Sequence, residues 1–151
     1  MADSLVLAGD LGGTKTSLAV IDPAKGPGRP LARGTLPSAD HPDLESLVRT
    51  FLARGHPRPT RATFGVAGPV GGGQATITNL PWRLDEEALA DALELESVAL
   101  INDLVAIAHA VPHVPDEQRI RIREGVADPT GPIAVLAPGT GLGQAFLVHD
   151  G

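Results

Sequence analysis

Residues 97–111, SVALINDLVAIAHAV, carry the decision about fold class. The run from Ser97 to Ile101 suits a buried strand, and the residues from Leu104 to Val111 are apolar on nearly every side of a helix that Pro112 stops. A strand that passes directly into a helix predicts a layered α/β protein. Because the helix has no polar face, it is expected to lie centrally. Two polar residues, Asn102 and Asp103, interrupt the apolar passage at the carboxyl end of the strand, where open α/β sheets place their ligands. One of the pair can serve as the helix cap. Alternatively, an aspartate oriented by the helix N-terminus can accept a proton from an incoming hydroxyl. A cap needs one such residue and this junction has two, which favours a site.

Working outward, SLVLA (4–8) and SLAVI (17–21) read as strands of one hairpin, followed by the loop DPAKGPGRP (22–30) and a third strand in LARGTL. Leu44, Leu47, Val48, Phe51 and Leu52 recur at helical spacing, with Pro42 expected as an early helical residue. RATFGVAG reads as a strand, and PVGGGQATITNLPW as a glycine turn, a short strand and an irregular segment. Asp85, Glu86 and Glu87 open a further helix at its favourable, positive end. Beyond Pro112 a polar linker contains RIRIR, whose alternation suggests an edge strand. PIAVLA and GTGLGQAFLVHDG then supply two strands about a glycine turn, ending in the hairpin-type pair Asp150-Gly151. GTKTSLAVID (13–22) and GLGQAFLVHD (141–150) are weakly similar, as a duplicated fold would make them. The whole predicts an α/β fold with a mixed sheet.

Composition narrows the function classes. The 151 residues, 42% hydrophobic, suffice for one domain with a core, or one domain and part of another. The net charge of -6 and scattered basic residues argue against a nucleic-acid partner. With no cysteine, thiolate chemistry and cysteine metal sites are excluded, and a reducing cytoplasm is suited. The N-terminus has neither the basic region of a signal peptide nor the length of a membrane span, so a soluble protein is expected. Aromatic residues are limited to Phe51, Phe64, Phe146 and Trp82, and Trp82 is assigned to the core rather than to a sugar face.

The stretch DLGGTKT (10–16) places glycine amides and threonine hydroxyls where a phosphate needs convergent donors: Gly12, Gly13, Thr14 and, beside them, Lys15. Asp10 would repel a bare phosphate and makes sense with a divalent cation in between. A plain hairpin turn with Asp10 as its hydrogen-bonding residue is the competing reading. The segment is no Walker loop, because a strand follows it. GTGLGQ is no dinucleotide fingerprint, since Gln144 stands where the last glycine belongs; Gly139, Thr140 and Gly141 form either a second phosphate turn or an ordinary one. Asn79, in TNLPW, can hydrogen-bond a polyol.

Taken in order, GDLGGTKTSLAV, AGPV, TNLPW, INDLVAIAHAV and APGTGLGQAFLV resemble segments of the bacterial glucokinases, in the superfamily of sugar kinases, heat-shock ATPases and actin. The resemblance implies a mixed-sheet, ribonuclease-H-like lobe of the actin-like ATPase fold over residues 1–111, followed by the start of a second, truncated lobe over 112–151. It implies ATP-dependent phosphorylation of glucose at the 6-hydroxyl in the cytoplasm, by an enzyme that is a homo-oligomer at full length. Asp103 would be the general base and, with Asn102 and Asn79, a sugar ligand. Asp10 would organise magnesium, and Gly12, Gly13, Thr14 and Lys15 with Gly139, Thr140 and Gly141 would surround the phosphates of ATP. Another hexose, an acylated amino sugar, or a non-catalytic sugar-binding role are the alternatives. The family's Glu-Gly-Gly-His segment, a later glutamate and the adenosine site are expected beyond Gly151, so these residues read as an amino-terminal half, expected to be inactive alone.

Overall fold

The computed structural model describes residues 4–77, 79–126, 128–138 and 142–149. The chain gathers into two units, Met1–Asp103 and Leu104–Gly151. The first contains β1 (Val6–Leu11), β2 (Lys15–Ile21), β3 (Ala32–Pro37), a 3₁₀ turn (Ser38–Asp40) and α1 (Leu44–Leu52). It continues through β4 (Arg61–Val66), β5 (Val70–Gly71), β6 (Gln74–Thr76), β7 (Arg83–Asp85), α2 (Glu86–Leu93) and β8 (Ser97–Asn102). Helix α3 (Asp103–Ala110) then leads to β9 (Ile133–Pro138) and β10 (Leu142–Leu147) of the second unit.

The main sheet has the order β3-β2-β1-β4-β8 and is mixed, as expected: β1, β4 and β8 are parallel, while β2 and β3 are antiparallel additions. The register aligns Leu7 with Val20 and Ala62, and Leu11 with Thr16 and Val66, so alternate residues form one buried face. Gly9 leaves room for Phe64 on that face, where a β-carbon would stand 2.5 Å from its ring. Leu44, Leu47, Val48 and Phe51 of α1, at helical spacing, join the same core, as do Leu89 of α2 and Trp82. Trp82 is 3% exposed and donates its indole N–H to the His41 carbonyl at 3.2 Å, which confirms its assignment to the core.

The helix boundaries follow from capping. Asp43, extended at φ -152°, accepts the Ser46 N–H, so α1 begins after it and Pro42 lies outside the helix, contrary to expectation. Asp85 caps α2 in the same way through Ala88 N–H, as its acidic opening predicted. Glu86 then reaches the sheet, accepting the Leu100 N–H of edge strand β8 at 2.7 Å. That bond satisfies a donor that an edge strand otherwise leaves open. The end of PVGGGQATITNLPW is irregular as expected, and β7, which follows it, pairs with β6 to complete the small antiparallel sheet β5-β6-β7.

Two further expectations are corrected. Helix α3 is not central: Val105 and Ile107 are 42% and 46% exposed, and Ala108 is its buried residue. Leu104 packs toward Gly143 of β10. RIRIR forms no strand; Ile120 and Ile122 are 92% and 97% exposed, so the alternation has no sheet to bury its apolar side. Among the described residues no helix is long and apolar enough to cross a membrane.

Candidate active site

Parallel pairing brings the ends of three strands into line. Leu11 lies opposite Val66, and Val66 opposite Asn102, so the carboxyl ends of β1, β4 and β8 finish abreast. With neighbouring strands about 4.8 Å apart, the backbones of Leu11 and Asn102 are about 10 Å apart along this edge. The Gly12–Lys15 turn leaves the first of these positions, and Asp103 follows the last as the opening residue of α3. The strand-helix junction and the glycine turn, far apart in sequence, therefore share one end of the sheet.

The turn is tightly closed. Gly12 N–H donates to Lys15 O at 3.1 Å, and a β-carbon on Gly12 would lie 2.9 Å from that same oxygen, so this position requires glycine. Asp10 is exposed and pairs with Ser17 and Gly65, on the side of the sheet opposite the buried Leu11. Lys15, the first residue of β2, is exposed too. Ser38, buried completely, lies beneath the turn: its hydroxyl donates to Gly12 O at 2.8 Å and its N–H to Thr14 O at 3.0 Å. The equally buried Thr16 hydroxyl is 3.0 Å from that of Ser38.

At the other end of the edge, Asn102 and Asp103 are half-buried. The Asn102 side-chain N–H donates to Gly68 O at 2.9 Å. Gly68 is presented by a sharp turn in which its own N–H donates to Val66 O at 2.8 Å. A β-carbon on Gly68 would come within 2.7 Å of Thr76 O, so β6 packs directly on the glycine that holds Asn102. Asn79 lies in the turn after β6, where Leu80 N–H donates to Ile77 O, and has the left-handed φ of 70° that asparagine tolerates better than most residues. Asn79 is exposed and belongs to the small sheet; the tie from that sheet to the junction runs through Gly68 instead. Gly139, Thr140 and Gly141 lie outside the described residues.

The expected residues thus divide. Asp10, Gly12, Gly13, Thr14, Lys15, Asn102 and Asp103 come to one end of the sheet, and Asn79 to the turn of the neighbouring one. Ser38 was missed, because a serine after a proline in LPSAD carries no local sign of its long-range bonds; the small residues Gly65, Ala67, Gly68 and Pro69 of FGVAGP do suggest a close backbone approach, and Thr76 O makes one at Gly68.

A family model described as Glucokinase matches residues 7–151. The chain belongs to the glucokinase family. It is 37% identical over 150 residues to a glucokinase of Nostoc punctiforme, an alignment covering 98% of this chain and 44% of that protein. A crystal structure of glucokinase from an Antarctic psychrotroph superimposes with a TM-score of 0.86 at 37% identity, over 97% of this chain and 47% of that one. The chain accordingly spans less than half the length of the glucokinases it matches. A ROK family glucokinase from Streptomyces griseus, solved with glucose and AMPPNP, shares the fold at a TM-score of 0.61 and 23% identity, over 97% of this chain and 45% of that one.

Among the described residues no cluster of three or more His, Cys, Asp or Glu forms a cage. One exposed carboxylate, Asp10, beside a turn of backbone amides suits a hard cation that keeps most of its water and is shared with a phosphate.

Proposed function

We propose that this chain carries the sugar-side junction and the first phosphate turn of an ATP-dependent kinase that phosphorylates glucose at its 6-hydroxyl. The alignment of the Gly12–Lys15 turn with Asn102 and Asp103 at one end of the parallel strands carries this reading. A separation of about 10 Å leaves room for a sugar hydroxyl at one side and a phosphoryl group at the other.

In this reading Asp103 Oδ accepts the proton of the 6-hydroxyl as that oxygen attacks the γ-phosphorus, with the leaving oxygen opposite. Asn102 and Asn79 hydrogen-bond sugar hydroxyls, and the Gly12–Lys15 amides hold phosphate oxygens. Magnesium bound near Asp10 would supply charge neutralisation to the phosphates. Gly139, Thr140 and Gly141 are assigned to a second phosphate turn. Phosphoryl transfer depends on positioning and charge stabilisation rather than on covalent chemistry by the protein, so the cleft must be closed on both sides. We assign residues 1–111 to a ribonuclease-H-like lobe and 112–151 to the start of a second lobe.

A coupled assay for glucose 6-phosphate tests the reading. The 151-residue chain should make none, and the same sequence continued to the length of its relatives should make it with ATP, glucose being preferred over other hexoses and acylated amino sugars. ATP hydrolysis indifferent to every sugar would overturn the assignment.

A further inference from the structure

We propose that Ser38 is a positioning residue for phosphate binding, holding the Gly12–Lys15 turn so that its Gly13 amide faces the nucleotide; this rests on reading that turn as a phosphate site. Ser38 is 0% exposed and follows β3, yet it bonds the turn twice, through its hydroxyl to Gly12 O at 2.8 Å and through its N–H to Thr14 O at 3.0 Å. A hydroxyl has one proton. Since Ser38 gives its proton to Gly12 O, the 3.0 Å contact with Thr16 is completed by the Thr16 hydroxyl as donor. The order is therefore Thr16 to Ser38 to Gly12, a buried relay with direction.

That direction has a consequence for the opposite side of the turn. In a trans peptide the carbonyl and the following N–H point opposite ways, and the described chain has no cis peptide. Fixing Gly12 C=O on Ser38 turns Gly13 N–H away from Ser38, and fixing Thr14 C=O does the same for Lys15 N–H. A glycine-rich turn without this clamp would sample other orientations, and phosphate would have to select among them. Ser38 removes that freedom before the ligand arrives while touching no ligand itself.

The test uses the isotopically labelled sequence continued to the length of its relatives, titrated with ATP and magnesium chloride while the Gly13 amide resonance is followed. The wild-type amide should shift saturably. Ser38→Ala should weaken the apparent affinity by about ten-fold, with the resonances of α1 and β4 unmoved. Should Ser38→Ala lose its fold, Ser38→Cys, similar in shape but a poor donor, carries the comparison and should show the same direction of change. Thr16→Val removes the supporting donor but leaves the Ser38–Gly12 bond, so it should lower the melting temperature while affinity stays within about three-fold. Equal affinity in wild type and the Ser38 variants would overturn the role of Ser38 with the phosphate turn intact. Loss in Thr16→Val as large as in Ser38→Ala would overturn the assignment to the Ser38–Gly12 bond. No Gly13 response in the wild type would overturn the phosphate-turn reading and the role of Ser38 with it.

Discussion

Asn102 is bound to Gly68: its side-chain N–H donates to the glycine carbonyl at 2.9 Å, across 34 residues of sequence. Val66 lies between them in the structure, paired with Asn102 and accepting the Gly68 N–H. The bond therefore sets the side chain that precedes Asp103 by the path of the chain leaving β4. It also couples the junction to β6, whose Thr76 carbonyl lies where a Gly68 β-carbon would be.

Removing this bond should disturb sugar binding more than nucleotide binding. In a full-length glucokinase carrying this sequence, Asn102→Ala is expected to raise KM for glucose by about ten-fold or more, with KM for ATP changed little. Steady-state kinetics with each substrate varied in turn checks the split; a selective rise in the ATP KM would contradict it.

Asp103→Asn preserves the size of the side chain and removes its ability to take a proton. Turnover in the same full-length protein should fall by roughly 10²–10⁴, with glucose affinity changed much less. Near-normal turnover would return Asp103 to the role of a helix-opening residue.

Acid should destabilise the chain through identifiable aspartates. Asp22 is held below the usual carboxylate range first by its bond to Lys25, 3.0 Å away, and also by Ala24 N–H, against burial, which acts in the opposite direction. Asp85 is lowered first by the Ala88 N–H it caps and then by the Gln74 side chain, and Asp128 by the N–H and hydroxyl of Thr130. A carboxylate depressed in the folded state contributes stability above its unfolded pKa, and that contribution is lost as pH falls through the folded value. Melting temperatures should thus be level above about pH 5 and fall below about pH 4. Asp22→Asn should melt lower at neutral pH and show a shallower acid fall; an unchanged acid slope would remove Asp22 from this account.

The β9-β10 sheet carries Leu136, Leu142 and Phe146 on one face, exposed by 62%, 66% and 66%. An apolar face of this kind promotes association. Phe146→Ser should lower the apparent mass of the 151-residue chain at high concentration in sedimentation velocity, without lowering the melting temperature of the first unit. Concentration-independent mass in the unmodified chain would refute this expectation.

The sequence by itself determined the elements whose local pattern and burial agree. Leu44, Leu47, Val48 and Phe51 announce α1 because their spacing makes one face, and the acidic start of α2 announces Asp85 as its cap. The strand-helix junction at Asn102 and Asp103 was legible because polar residues stand out in an apolar passage. Tertiary structure alone decided what such patterns leave open. A helix apolar all round, like α3, names no preferred face, so its exposure depends on which layers cover it. RIRIR alternates as a strand does, but alternation becomes a strand only where a partner edge accepts its hydrogen bonds. Ser38 reaches Gly12 across 26 residues, and only the pairing of β3 on β2 and β2 on β1 brings a serine hydroxyl beneath a glycine carbonyl. A hydrogen bond is fixed by distance and direction in space, and neither is written in the spacing of residues along the chain.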